Sequence, residues 1–141
     1  MDLMRASAFL HIVFSILLTG LALYWVIMTS ALAKGRDAAE AARLLAVAHR
    51  ARWPHVVVPQ ALRIPLPWMT WLVIAALAAT GIGSIALRGA PDNGLWWIKL
   101  ALVAAVIVIQ IPLTLRPYPA LGRIHFALVL ATILVSGWTL R

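Results

Sequence analysis

Four apolar runs, at residues 6–29, 67–87, 95–115 and 121–140, each come close to the roughly 20 residues with which a helix crosses a hydrocarbon layer about 30 Å thick. In lipid every backbone N–H and C=O must be satisfied inside the protein, and for runs of this length that means helices. The composition agrees, because 64% of the 141 residues are hydrophobic and 11% are charged, outside the usual range of a soluble domain. The expected fold class is an all-α integral membrane protein. A single domain, residues 1–141, would form a four-transmembrane-helix up-and-down bundle, with the bilayer as its main partner.

Positive charge sets the expected orientation. Lys34, Arg36, Arg43, Arg50, Arg52 and Arg63 lie between the first two runs, and Arg116 and Arg123 flank the last link. Arg5, Arg88, Lys99 and Arg141 belong to the other side, so the loop at residues 34–66 is expected in the cytoplasm and both termini outside a bacterial-type plasma (inner) membrane. Basic residues placed at span ends have a topological role, so a nucleic-acid partner is not expected in spite of the +8 net charge. The first run could be mistaken for a signal peptide, given Arg5 ahead of it and Ala31-Leu32-Ala33 after it. It exceeds the about 7–15 residues of a signal core and holds His11, so a retained helix is expected.

Within the long loop, Gly35 should end the first helix. Asp37 and Glu40 have the spacing of a capping box ahead of an alanine-rich run that ends near Arg52. A short interfacial helix is expected there, with Leu44, Leu45 and Val47 on its apolar side and Arg43, Arg50 and Arg52 toward anionic lipid. Pro54, Pro59, Pro65 and Pro67 punctuate the way into the second span, and Trp53, Trp68 and Trp71 are placed for an aromatic belt.

The first span carries Ser7, His11, Ser15 and Thr19 at successive i+4 positions, a stripe that should face protein rather than lipid tails. The second span offers Thr80, Gly81, Gly83 and Ser84, a small-residue patch for close helix approach. Lys99 and Gln110 nearly eclipse on the third span, and His125, Thr132, Ser136 and Thr139 align on the fourth. Up-and-down threading puts His11 and Lys99 near the outer surface and His125 near the inner one, roughly 20 Å away in depth at 1.5 Å per residue. His11 and Lys99 are therefore the expected cofactor-binding pair. A neutral His11 imidazole has the chemistry of an iron ligand for haem b, and the Lys99 ammonium that of an anchor for an anionic group. The structural alternatives are that Lys99 snorkels past Trp96 and Trp97 and that His11 hydrogen-bonds a neighbouring helix. His49 and His55 are read as interfacial loop residues that could approach His125 on the inner side.

Several chemistries are excluded. The chain has no cysteine, which removes disulfides, thiolate zinc sites and Cys-ligated clusters. All four acidic residues lie outside the spans, so no serine, histidine and carboxylate set can form there, and no glycine-rich phosphate loop occurs.

The residues Phe9-Leu10-His11, Thr80-Gly81 and Trp96-Trp97-Ile98-Lys99-Leu100-Ala101-Leu102-Val103 resemble those of the CopD-type copper-resistance membrane domain and of the short HemJ-type protoporphyrinogen oxidases. The resemblance covers most of the chain through short motifs. It implies a four-helix bundle in which His11 matches the span-one histidine, associated with haem in the HemJ-type proteins, and Lys99 the span-three lysine. It departs where a carboxylate is expected early in the last span and His125 stands instead.

Three readings follow. The first is a haem b or porphyrin-handling redox protein with its pocket in the outer half of the bundle and His11 as the metal ligand. The second is copper transfer, with Met4 one heptad before His11 as a soft co-ligand. The third, with no cofactor, is an accessory subunit whose polar stripes hold helices together in a homo-oligomer or larger membrane complex.

Overall fold

The computed structural model describes residues 3–50, 52–53, 64–91 and 93–139. Five helices follow in order: α1 (Leu3–Ala33), α2 (Ala38–Arg50), α3 (Leu66–Arg88), α4 (Gly94–Leu115) and α5 (Pro119–Thr139). Two-residue strands β1 (Arg52–Trp53) and β2 (Ile64–Pro65) pair antiparallel and bring together the two ends of the α2–α3 connection. The protein is thus essentially all-helical, and α1, α3, α4 and α5 are each long and apolar enough to cross a membrane.

Local chemistry sets the helix ends. α1 runs on through Ala31-Leu32-Ala33, all good helix formers, and stops before Gly35, whose φ of 71° is open to a residue without a Cβ. Arg36 Nη1 then donates to the freed carbonyls of Leu32 (2.9 Å) and Ala31 (3.3 Å). Asp37 caps α2 by accepting from the Glu40 backbone N–H at 2.8 Å, as the sequence spacing predicts. Pro67 sits in the first turn of α3, where its missing N–H costs nothing, and Asn93 caps α4 by accepting from Trp96 N–H at 2.9 Å. Pro112 falls in the last turns of α4, which continues to Leu115.

α1 packs along both α3 and α5, α5 packs along α4, and the α3–α4 seam is the slightest of the four. Side-chain bonds fix the directions. Ser7 and His11 meet Ser84 and Thr80, so α1 and α3 are antiparallel. Gln110 and Thr114, near the end of α4, meet Pro67 and Trp71, near the start of α3, which ties those two helix ends together. Trp71 Nε1 donates to Thr114 Oγ1 at 2.7 Å, which makes this expected belt tryptophan an interhelix tie. At mid-height Leu18, Val73, Ile74, Val106 and Val129 form a core with one or two residues from each long helix. Around it large apolar side chains such as Ile16, Leu72, Ile82, Val108 and Leu134 point outward and are more than half exposed, as contact with lipid requires.

α2 does not present one undivided apolar side. Leu45 and His49, four residues apart, are buried, whereas Val47 is 70% exposed. His49, inside the inter-span run expected to be helical as far as Arg52, lies in the last turn of a helix docked on α1.

Candidate functional site

Polar side chains gather at the two ends of the long helices, and α1 contributes to both groups. The first group lies at the end that carries the α1 N-terminus. Ser84 donates to Thr80 O at 2.8 Å, and Ser7 Oγ lies 3.1 Å from Ser84 Oγ and 3.2 Å from Thr80 O. His11 Nδ1 is 2.9 Å from Thr80 Oγ1. The threonine's single proton is directed at its own helix, to Ala76 O at 2.9 Å or Leu77 O at 3.1 Å. With that proton on its own helix, Thr80 Oγ1 accepts from His11 in the Nδ1–H tautomer. The lone pair is left on Nε2, with the ring lying over Gly81, where a Cβ would stand 3.7 Å from His11 Cε1.

Lys99 is brought within electrostatic reach of His11 from α4. It is half-buried, with Nζ 5.7 Å from the centre of the Trp96 ring. The remaining hydroxyls of the stripe turn back on their own helix. Ser15 donates to His11 O and Thr19 to Ser15 O, both at 2.8 Å, so only Ser7 and His11 carry the stripe across to α3.

The second group lies at the loop end. Trp25, His49, Thr70, Gln110 and His125 surround a cavity of about 30 Å³ together with Leu21, Ala22, Leu66, Pro67 and Leu113. His49 Nε2 is 2.7 Å from Leu113 O, a carbonyl that only accepts, so His49 donates there. Its ring meets the Trp25 indole edge-on at 5.7 Å. Gln110 Nε2 donates to Pro67 O at 3.2 Å, and Thr70 donates to Leu66 O at 3.0 Å. Two buried nitrogens, Trp25 Nε1 and His125 Nε2, have no partner among the described residues. The indole can lie this close to α5 because residue 122 is glycine, where a Cβ would fall 2.5 Å from Trp25 Cδ1 and 2.6 Å from Nε1.

Lys99 is thus within electrostatic reach of His11, His49 and His125 line one cavity, and the two groups are separate. Met4 (as to its side chain), His55, Arg63 and Arg141 lie outside what is described. Trp25 and Gly122 carry no polar pattern that would have singled them out, whereas the i, i+4 pair Leu45 and His49 is a helical-face signal that a loop assignment hides. Among the described residues no three histidines or carboxylates come together as a metal-binding group. No protein-family model matches the chain, and comparison with curated proteins and with solved structures yields no match.

Proposed function

We propose that the chain is a bacterial-type inner-membrane protein, an up-and-down four-helix bundle whose outer half handles haem b or a related porphyrin at His11 and Lys99. In this reading both termini face outward, and the basic loops, with α2 resting against the inner headgroups, face the cytoplasm. The observation that carries it is the state of His11. A metal-ligating imidazole needs one nitrogen fixed by a hydrogen bond and the other bare, which is how Thr80 leaves this ring. Lys99, on the facing α4, supplies a positive charge suited to a propionate. Haem held there would supply one-electron chemistry. The chain itself contributes the ligand nitrogen, its orientation through Thr80 and the charge of Lys99. The resemblance of the His11 and Lys99 segments to the CopD-type and HemJ-type proteins supports the same pair.

The bonds from Ser7 and His11 to α3 favour a second reading, in which this polar face serves only to hold α1 against α3 in an accessory subunit. An absorption spectrum of protein purified in mild detergent separates the two. A Soret band, present on isolation or after haem loading and lost in His11→Ala, is the expected result. A wild-type protein that remains folded and shows no band after loading rejects the haem reading and leaves the packing one.

A further inference from the structure

The loop-end cavity is built for an occupant of its own, independent of anything bound at His11. It is lined by residues of α1, α2, α3, α4 and α5 and, at about 30 Å³, has room for one or two water molecules. Its lining residues include two side chains more than nine-tenths buried, Trp25 (8% exposed) and His125 (3%), whose Nε1 and Nε2 have no partner among the described residues. Leaving such a group dry forfeits its hydration with nothing in return. A buried water is held by two to four polar partners, and these are present: the Trp25 N–H as donor, His125 Nε2 as acceptor in its Nδ1–H tautomer, and the oxygens of Gln110 and Thr70, one Gln110 N–H being directed at Pro67 O and the Thr70 proton at Leu66 O. The lining residues include no carboxylate, lysine or arginine, which favours a neutral occupant over a metal cation or an anion.

We propose that this cavity is a hydrated histidine site, in which an internal water accepts from Trp25 Nε1–H and donates to His125 Nε2, making His125 the proton acceptor at the loop end of the helices. The proton acquired by Nε2 comes from that water, which recovers one from the adjoining aqueous phase, so the site gains one proton and no other bond changes. His49 of α2 is the other titratable group on the cavity. The walls from α1, α3 and α4 are the uncharged Trp25, Thr70 and Gln110.

The test uses the full chain in detergent micelles, with nitrogen-15 in its tryptophan and histidine rings and water as the probe. The Trp25 indole proton, assigned through Trp25→Phe, should show a magnetisation-transfer peak to water. Its resonance should also move with pH at the same midpoint as the His125 ring nitrogens. His125→Gln keeps a hydrogen-bonding side chain, so it should retain the water peak and lose the pH response, while His49→Gln should keep both. Three outcomes overturn the proposal: an indole with no water contact, an indole unaffected by titration of His125, and a pH response that survives His125→Gln.

Discussion

The two ends of the helices solve the problem of polarity among apolar residues in different ways. Around His11 the side chains are half-buried, and the hydrogen bonds of Ser7, Ser84 and Thr80 direct their protons to α3 atoms, so hydroxyls set the approach of α1 to α3. Around His125 the groups lie deeper and aromatic fit dominates, with Trp25 against Gly122 and edge-on to His49, leaving two nitrogens without protein partners. Hydrogen bonds therefore position the shallow site, whereas the deep one adds close fit to the bonds of His49 and Gln110. Substitutions at the first should act through bonding and ligand chemistry, and at the second through packing.

The largest difference is expected in cofactor retention. The ends are separated on α1 by the stretch from His11 to Trp25, about 21 Å of helix at 1.5 Å per residue. His11→Ala should abolish the haem spectrum or shift it strongly, whereas His125→Ala should leave iron ligation intact. Absorption and redox titration of the two variants, matched for expression and helix content, provide the measurement. Equal loss in both would mean that the two ends do not act separately and that one-histidine ligation at His11 is wrong.

Gly122→Ala should give the next largest effect, this time at the deep end. An added methyl would stand 2.5–2.6 Å from the Trp25 indole, which is closer than side chains pack, so either the indole or the α1–α5 crossing must shift. Overpacking of this kind costs about 1–3 kcal/mol, against a helix-propensity gain of roughly 0.5–1 kcal/mol. Thermal unfolding in detergent should show net destabilisation, with a change in Trp25 fluorescence. If stability rises instead, the close contact is not a constraint.

Thr80→Val tests the shallow end by removing a hydroxyl at nearly constant volume. His11 Nδ1–H loses the threonine acceptor, a loss of about 1 kcal/mol for one buried bond. If iron is ligated there, losing the group that orients the ligand should weaken its retention by about 10- to 100-fold. A stability loss with unchanged haem affinity would assign the Thr80 contact to helix packing alone.

Much of this contrast was legible in the sequence, and the part that was not has a physical reason. The four apolar runs locate α1, α3, α4 and α5 because hydrocarbon thickness fixes span length, and the Asp37–Glu40 spacing locates the start of α2 because a cap needs its oxygen three residues ahead of the N–H. The His11–Thr80 pairing agrees with two polar stripes that lipid would not tolerate. The deep cluster was harder to read. Trp25 fits over Gly122 through the rotation of α1 against α5, which neither helix encodes alone. His49 reaches His125's cavity, the approach expected for it at the inner side, because α2 packs on α1, a contact that its basic face does not encode.

Gly81→Ala is the smallest expected change and the counterpart to Gly122→Ala, since both place a methyl in a helix against an aromatic ring from α1. At residue 81 the new Cβ would stand 3.7 Å from His11 Cε1, an ordinary van der Waals separation that displaces nothing. The helix-propensity gain is the same at both positions, so their difference in unfolding temperature isolates the packing cost at Gly122. With no clash to offset that gain, Gly81→Ala should be neutral or more stable by up to about 1 kcal/mol. The His11 to Thr80 bond should survive, because the approach to the His11 ring is an ordinary contact at Cε1 and not at the bonded Nδ1. Destabilisation comparable to that of Gly122→Ala would show that α1 lies closer to α3 than this geometry allows, and that shape positions the shallow end as well.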